Sequence, residues 1–357
     1  MTPPRRSSEL LSALRMVAPG TELREGVDRI LQAGMGALIV LGDGPEVLAL
    51  CSGGFLFDAE FTPQRLSELA KMDGAIILSA DASRVARANV HLVPDPDIPT
   101  NETGTRHRTA ERVAMQVDVP VVTVSEDMSV VTLYRNDAKH SLAPIPRVLA
   151  RANQALQTLE RYKARLDAVA ASLSALEVED LVTARDVVTV LQRTEMVRRI
   201  AAEIEGYIIE LGTDGRLVLL QLEELMGGVE IDRRLVTKDY FVEGPDWELE
   251  DVVNQLADLD SEELLDLRKV LDVLHLPPGT TLDTPLQPHG FRLLHKIPRL
   301  PEIVADHVVD RFQNLQKIMR ASVDDLNDVE GVGEARARAI KEGLSRLAES
   351  SILDRYV

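Results

Sequence analysis

One long apolar stripe constrains how this chain folds more than any other feature of its sequence. From Leu149 to Leu176, apolar residues recur every three or four positions, which is the period of one face of an α-helix. The near-heptad spacing predicts one long helix packed in a helical bundle, with an isolated coiled coil as the alternative. The stripe begins just after Pro144 and Pro146, so we expect a domain boundary there.

The residues before the stripe have a different pattern, in which short apolar runs end in Gly or Asp. Such runs are typical of buried strands. They lie at residues 36–43, 47–54, 74–81, 90–95, 120–127 and 130–137. Helices separate some of them: one spans 61–72, with Thr62 as its N-cap and Pro63 in its first turn, and another spans 108–116. This alternation predicts an α/β fold with a mixed sheet.

The rest of the chain is helical in pattern until a stretch rich in Pro and Gly at residues 275–290, which is typical of a linker. Short helices with tight turns follow it. We therefore predict three domains: a mixed-sheet domain at 1–146, a helical spine at 147–285 and a C-terminal domain at 286–357. The spine shows no pattern suited to chemistry, and we expect it to act as a spacer and packing domain.

The charge distribution limits the partners of each domain. The 357 residues carry a formal net charge of −18, but residues 286–357 hold 11 basic and 11 acidic residues. The acidic first part argues against a general nucleic-acid coat, whereas the neutral tail has room for a local patch that faces DNA.

The cysteine count and the apolar runs bear on the compartment. Cys51 alone rules out a disulfide framework and a cysteine-based zinc site, and we expect it to fill space in the core. The N-terminus lacks the apolar run of a signal peptide, and no stretch approaches the roughly 18 apolar residues of a membrane span. We expect a cytoplasmic protein without a membrane partner.

Positive charge is concentrated at one point of this acidic chain, the sequence GTRHRTAER at residues 104–112. Gly104 allows a tight approach of the backbone. Thr105 to Thr109 lie at the entry of a helix, where free N–H groups and the helix dipole favour anions. We therefore expect this segment to bind phosphate.

Three side chains of this segment strengthen that expectation. Arg106 and Arg108 carry forked charges suited to phosphate oxygens, and both would reach one polyphosphate if the loop is extended. His107 between them is able to donate a hydrogen bond or to move a proton. The alternative is a solvated helix start whose arginines pair with Glu111.

A carboxylate precedes the predicted strand at 74–81. Asp73 lies at the mouth of that strand, where a carboxylate can hold Mg²⁺ or Mn²⁺ or orient a hydroxyl nucleophile. The pair Asp73–Gly74 is equally an ordinary turn. The metal interpretation depends on whether the fold brings Asp73 beside residues 104–109.

Two further strand ends offer weaker candidates. VSED at 124–127 presents a hydroxyl at Ser125 and carboxylates at Glu126 and Asp127, although a polar strand end is the simpler interpretation. Leu92 either flanks a flat base or packs in the core, and the sequence leaves both open.

Common nucleotide and metal motifs are absent from the sequence. It has no GxxxxGK[ST] and no HExxH, and GVGEAR at 331–336 has Arg where the dinucleotide fingerprint requires Gly or Ala. This sequence instead fits a helix-hairpin-helix, in which Gly331 and Gly333 form a tight turn whose N–H groups reach a DNA phosphate. Basic residues lie just behind the turn: Arg336, Arg338 and Lys341. An αα-hairpin that only packs is the alternative.

Three stretches together resemble one known family. They are KMDGAIILS, ANVHLVPDPDIPTNETGTRHRTAERVA and VEGVGEARARAIKEGL. In this order they resemble the DisA family of bacterial diadenylate cyclases, the DNA integrity scanning proteins, over the whole chain. The resemblance implies an N-terminal cyclase domain, a helical spine and a C-terminal helix-hairpin-helix domain.

The resemblance also implies an activity and partners. It implies condensation of two ATP molecules into cyclic di-AMP with release of two pyrophosphates, in a DNA damage and repair checkpoint. It further implies an octamer with cyclase domains facing in pairs, and binding of branched DNA of the Holliday-junction type. An ATP-sensing scaffold that binds DNA structures without catalysis is the alternative.

Site residues are carried over by position. The resemblance makes Asp73 a ligand of Mg²⁺ or Mn²⁺ that helps to activate the ribose 3′-hydroxyl, with Glu126 as a second metal candidate. The arginines and histidine of residues 106–108 complete the catalytic set. The positions that the resemblance places on the nucleotide are Gly74, Leu92, Thr105, Arg106, His107, Arg108, Thr109 and Ser125.

Overall fold

A computed structural model describes residues 8–126, 129–244 and 247–353 of the chain. These residues form two compact units. The first holds the described residues up to Leu156 together with Glu203–Gln221, and the second holds Gln157–Ala202 and the described residues from Leu222 onward. The three-domain boundaries inferred from the sequence stay a prediction.

The first unit is built on a mixed sheet of eight strands, as the predicted fold class requires. The strands are β1 Ala37–Leu41, β2 Cys51–Ser52, β3 Phe55–Glu60, β4 Ala75–Leu78, β5 Arg84–Leu92, β6 Val121–Val124, β7 Val131–Arg135 and β8 Ala138–Ser141. Their order is β2-β5-β4-β1-β6-β7-β8, and β3 also pairs with β5. Of the described strand pairs, β1 and β4 run parallel and the others run antiparallel.

Helices cover both faces of this sheet. They are α1 Ser8–Met16, α2 Glu22–Gln32, α3 Pro45–Ala49, α4 Pro63–Leu69 and α5 Thr105–Val117. Alternate residues of β1 enter different cores: Ile39 packs in one cluster with residues of α1, α2 and α4, and Val40 packs in another with residues of α5. Because side chains of a strand point to opposite faces in turn, this all-apolar strand is buried between two helical layers.

The run at residues 47–54 does not form the predicted strand. Residues 45–49 are helical, and only Cys51 and Ser52 pair as a strand. Gly44 is the N-cap and Pro45 occupies the first turn, where the fixed φ of proline and its missing N–H favour a helix start. This start signal outweighs the apolar run that follows it.

Six helices and two 3₁₀ turns follow the sheet in the described residues up to 272. The first is α6 Ile145–Glu179, the long helix that the stripe predicts. The others are α7 Ala184–Leu211, a 3₁₀ turn at Gly212–Gly215, α8 Arg216–Met226, α9 Val229–Tyr240, α10 Leu249–Asp258, a 3₁₀ turn at Glu263–Leu265 and α11 Leu267–Asp272. None of the helices in the described ranges is long and apolar enough to cross a membrane.

The turn at Gly212–Gly215 belongs to the first unit, although the sequence places it in the spine. The main-chain N–H of Thr213 donates to the carbonyl of Pro19 at 3.1 Å. Gly212 has a φ of +52°, and a Cβ added there would overlap the carbonyl oxygen of Pro19. Only glycine fits so close an approach, and the helical turn is therefore tightly docked on the loop between α1 and α2.

The C-terminal helices end the second unit. They are α12 Phe291–His295, α13 Glu302–Phe312, α14 Leu315–Arg320, α15 Val323–Asn327 and α16 Glu334–Leu353. Buried Arg292 pairs with buried Glu177 of α6. The carboxylate of Asp239 in α9 accepts the main-chain N–H groups of residues 290–292 at 2.7–2.9 Å. Because breaking a buried pair leaves an uncompensated charge, these contacts hold α12 firmly in the second unit.

The same helices contain an internal repeat that the sequence analysis did not detect. Residues 294–305 and 326–337 share their main-chain hydrogen bonds at a constant offset of 32 positions. The bond from Ile297 N to Leu294 O, 3.0 Å, matches the bond from Val329 N to Leu326 O, 3.2 Å. The later bonds match likewise: Leu300 N to Ile297 O with Val332 N to Val329 O, and Ala305 N to Pro301 O with Ala337 N to Gly333 O.

Candidate active site

A cavity of about 260 Å³ opens where β1 and β4 begin and β6 ends. Its walls come from the loop before β1, the loop before β4, the first turn of α5 and the loop after β6. Four residues singled out from the sequence line it: Asp73, Gly74, Arg106 and Glu126. The fold therefore brings Asp73 beside the basic segment, which is the condition on which its metal interpretation depends.

Arg106 reaches this cavity across a glycine. Its guanidinium lies so close to Gly36 that a Cβ added there would overlap Nη1 and come within 2.7 Å of Cζ. A residue with a side chain at position 36 would displace the guanidinium. The forked charge is thus held at one wall of the cavity.

Two carboxylates share the cavity with that charge. Asp73 and Glu126 are both exposed, and neither side chain has a hydrogen-bond or ion-pair partner within the described ranges. Mg²⁺ and Mn²⁺ favour oxygen ligands and are often bound by one or two carboxylates together with substrate phosphates. The donor set of this cavity fits such an ion.

The first turn of α5 supplies main-chain donors at the same place. Gly104 is the N-cap and has no side chain to bond the N–H groups of the turn, and Thr105 is exposed at its start. The first N–H groups of a helix lack partners inside it, and the helix dipole favours an anion there. The segment has the local structure of an anion site.

Arg108 does not converge with Arg106. Convergence requires an extended loop, but residues 105–108 are helical, so two positions correspond to about 200° of rotation around the axis. Arg108 donates from Nη2 to the carbonyl of Thr103 at 3.2 Å and does not line the cavity. The extended loop on which the convergence of the two arginines depends is therefore not formed, and a phosphate contact of Arg108 stays a prediction.

His107 takes part in a hydrogen-bond chain behind the cavity. Its Nδ1 lies 2.9 Å from the hydroxyl of Tyr134 in β7 and 3.1 Å from that of Thr123 in β6. The Tyr134 hydroxyl donates to Glu102 at 3.0 Å, and Glu102 pairs with Lys139. Because the single proton of Tyr134 goes to the carboxylate, we infer that His107 donates from Nδ1–H to the Tyr134 oxygen, and in the neutral ring Nε2 then carries no proton.

The pKa shifts of the residues in this hydrogen-bond chain agree with that assignment of protons. Burial lowers the pKa of His107, which favours the neutral ring. Burial by itself would raise the pKa of Glu102, but hydrogen bonds from Lys139 and Tyr134 outweigh it and hold the pKa below its usual range. Burial and the nearby Glu102 raise the pKa of Tyr134 well above its usual range. A neutral histidine, a protonated tyrosine and a charged carboxylate are the result.

The remaining predicted residues lie at the edges of the site or in the core. Leu92 is 5% exposed and packs in the cluster beneath α5, so its side chain follows the core interpretation. Ser125 is half-buried after β6, with its N–H donating to Val130 O at 2.9 Å, and Thr109 is half-buried in α5. Asp127 lies outside the described residues. Nucleotide contacts of these positions stay predictions.

Sequence reasoning missed the supporting residues of the site. Gly36 precedes β1 in the sequence GMGA, and the two glycines were the available signal. Tyr134 and Thr123 look like ordinary strand residues, and Glu102 like a loop residue. Their roles depend on the pairing of β6 with β7, which places Thr123 beside Thr132 and Val121 beside Tyr134.

The C-terminal hairpin has the expected form, but its basic residues differ in availability. Gly331 and Gly333 are exposed in the turn before α16. Arg336 donates to the carbonyl of Gly331 at 2.6 Å, and exposed Arg338 pairs with Glu334. In contrast, Lys341 donates to the carbonyls of Met319 and Ala321 at 2.7 and 2.8 Å. Two of the three N–H donors of its ammonium are thus used inside the protein.

Comparisons with known families match most of the chain. The model described as DisA bacterial checkpoint controller nucleotide-binding matches residues 24–139. The model of the DisA bacterial checkpoint controller linker region matches residues 142–282, and a helix-hairpin-helix motif matches residues 314–343. All three segments follow in the order that the sequence resemblance implies.

Curated relatives extend the match to nearly the full length. The DNA integrity scanning protein DisA of Frankia alni is 57% identical over 97% of this chain and 97% of its own. That of Kineococcus radiotolerans is 56% identical over 99% and 100%. A crystal structure of DacA from Staphylococcus aureus covers 39% of this chain and 91% of its own, at 21% identity and a TM-score of 0.30. On the family models and the curated relatives, the chain belongs to the DisA family of DNA integrity scanning proteins.

Proposed function

We propose that this chain condenses two ATP molecules into cyclic di-AMP and releases two pyrophosphates. The cavity in which Asp73 and Arg106 meet is the observation that carries the proposal. Attack of a hydroxyl on a phosphorus needs positioning and charge neutralisation and little covalent chemistry from the protein. A guanidinium, free carboxylates and the N–H groups of a helix start supply these at one place.

Each group has a distinct task in this reaction. Arg106 and the first turn of α5 bind the phosphates and stabilise the charge that develops on them. Asp73 accepts the proton of the ribose 3′-hydroxyl as its oxygen attacks the α-phosphorus of the other ATP, and the bond to pyrophosphate breaks with its electron pair leaving on pyrophosphate. With its Nδ1 bonded to Tyr134, His107 is left with an unprotonated Nε2, which can accept a hydrogen bond but cannot donate one to phosphate.

Asp73 and Glu126 would hold the divalent ion that the family implies. When it is bound, such an ion neutralises phosphate charge and polarises the oxygens around the reacting phosphorus. Arg106 on the opposing wall then orients the phosphate chain, and Gly36 keeps that wall free of side-chain bulk.

We further propose that the active form contains at least two chains. The product is two-fold symmetric, and each ATP must offer its hydroxyl to the other. Among the described residues of one chain, a single helix start carries the basic segment, so a second copy has to face it through an isologous contact. An octamer is the assembly that the family resemblance implies.

We also propose that the C-terminal hairpin binds the sugar-phosphate backbone of branched DNA, and that this binding lowers the rate of cyclic di-AMP synthesis. The helix-hairpin-helix match and the exposed Arg336 and Arg338 support the binding. One hairpin makes few phosphate contacts, but several tails on one assembly can engage different arms of a junction. The coupling to the cyclase rests on the family resemblance.

Replacing Asp73 tests the reaction and separates it from ATP sensing. Wild-type protein incubated with ATP and Mn²⁺ or Mg²⁺ should form cyclic di-AMP, measured by chromatography. Asp73→Asn removes one negative charge at equal size, and we expect the rate to fall on the order of 10²-fold or more. Asp137→Asn, a matched change in the exposed turn between β7 and β8, should leave it unchanged. ATP binding without product in the wild type would favour the non-catalytic scaffold.

Replacing Tyr134 tests the hydrogen-bond chain. Tyr134→Phe removes the acceptor of the Nδ1–H bond of His107 with little change in volume, and we expect kcat to fall on the order of tenfold with a smaller change in KM. Tyr207→Phe, which removes a hydroxyl paired with exposed Glu203, is the control. In a His107→Ala background, Tyr134→Phe should have no further effect on kcat. Full additivity of the two changes would contradict a role through His107.

Dilution tests the need for two chains. The specific activity of the full chain should fall as light scattering shows the assembly dissociating, because a single cavity binds only half of the reactants. Monomers, verified at the assay concentration, that keep full specific activity would refute the facing arrangement.

A four-way junction tests the DNA coupling. Cyclic di-AMP production by the full chain should fall when the junction is added, and a linear duplex of equal length should have a smaller effect. Arg336→Ala with Arg338→Ala should weaken junction binding. The slope of the logarithm of the binding constant against the logarithm of the salt concentration, here called the salt slope, should fall in magnitude by about two. Junction binding with unchanged synthesis would remove the coupling and leave the DNA site standing.

A further inference from the structure

The earlier half of the repeat in the C-terminal helices, which precedes the segment matched by the helix-hairpin-helix model, forms a second hairpin. It joins α12 to α13 through residues 297–301, as residues 329–333 precede α16. Both hairpins have a residue in the left-handed region at the same position of the turn: Arg299 at φ +63° and Gly331 at φ +80°. The two turns thus have the same backbone form, although their sequences, IPRLP and VEGVG, share no residue.

Both hairpins belong to one core. Leu294, Ile297 and Val308 pack in the same apolar cluster as their repeat partners Leu326, Val329 and Ile340. Each of the six is less than a tenth exposed. The tips of both turns are therefore fixed relative to each other by a close-packed interior.

Their donors differ in kind. In the later hairpin, the main chain of Gly331 and Gly333 is open to a phosphate. The earlier hairpin has Pro298 and Pro301 at the positions of Glu330 and Gly333, and proline has no N–H to donate. In its place, Arg299 presents a guanidinium with five N–H donors.

Arg299 is also available for an external partner. It is exposed and makes no ion pair or side-chain hydrogen bond to any residue that the structure describes. A non-glycine residue in the left-handed region is strained, whereas the repeat has glycine at the same place. Arginine occupies a position at which glycine would be less strained, which indicates that the arginine side chain has a function.

Charge favours the earlier hairpin for contact with DNA. Residues 295–303 hold two cations and one carboxylate: Lys296, Arg299 and Glu302. Residues 327–335, around the matched hairpin, hold three carboxylates and no cation: Asp328, Glu330 and Glu334. In a chain of net charge −18, a polyanion needs such a local excess of positive charge to approach.

We propose that the hairpin at residues 297–301 is a second site for the DNA backbone. In it, the guanidinium of Arg299 binds a phosphate, as the main-chain N–H groups do in the hairpin at residues 329–333. This site rests on the proposed DNA-binding function of the C-terminal helices. With both hairpins fixed in one core, one tail holds two backbone positions at once, so the second contact forms at a high effective concentration.

Two substitutions at position 299 test the site in the full-length protein. Arg299→Gly removes the guanidinium and introduces the residue found at the matching position, Gly331, so the backbone turn should be kept. We expect the affinity for a fluorescent four-way junction, measured by anisotropy, to fall about two- to fivefold and the salt slope to fall by about one. Arg299→Lys keeps the charge and should keep the slope.

Controls separate this site from the proposed function itself. Arg268→Ala removes an exposed arginine of α11 and should change neither quantity. The thermal unfolding temperature of Arg299→Gly should not fall, because glycine suits a φ of +63°. Wild-type protein that binds no junction would overturn the DNA-binding function. Normal wild-type binding, with Arg336→Ala weakened and Arg299→Gly equal to Arg268→Ala, would overturn the second site alone.

Discussion

The hydrogen bond between His107 and Tyr134 is the contact on which the geometry of the candidate active site depends. It joins the first turn of α5 to strand β7, and Glu102, which accepts the hydrogen bond of the Tyr134 hydroxyl, ties down the loop that leads into the helix. Because the turn is fixed in this way, the guanidinium of Arg106 enters the cavity beside Gly36, whereas Arg108 bonds the carbonyl of Thr103 and does not line the cavity. The proposed phosphate site is thus a docked helix start, and not an extended basic loop.

This contact also explains which residues of the candidate site could be predicted from the sequence and which could not. Asp73 and residues 104–109 were recognisable because a strand mouth and a helix entry are local patterns. Tyr134 and Gly36 were not, because their contacts join residues 27 and 70 positions apart and depend on the order of β1, β6 and β7. The choice between an extended and a helical segment at 105–108 also depends on how α5 packs on the sheet.

The same reasoning applies to the fold. The 35 residues of α6 were predicted well because an uninterrupted apolar stripe needs no partner to be recognised. The turn at Gly212–Gly215 was assigned to the spine because nothing in its sequence shows that it docks on Pro19, 193 positions earlier. In the C-terminal helices, the repeat escaped detection because its halves match in backbone form and burial and differ in sequence.

The two hairpins show why a motif match and a binding surface need not coincide. GVG is recognised because its glycines are rare and local, yet carboxylates surround it, and Lys341 behind it serves the carbonyls that end α14. IPRLP has no glycine, yet its arginine carries a guanidinium that has no partner among the residues the structure describes, and it lies on the same core. Since the attraction of a protein to DNA comes mainly from cations near the phosphates, the charge on the earlier turn matters as much as the motif on the later one. Arg106 at the helix start beside Asp73 and Arg299 at the tip of the earlier hairpin are both cations at a turn of an acidic chain, and a phosphate is the ligand that we propose for each.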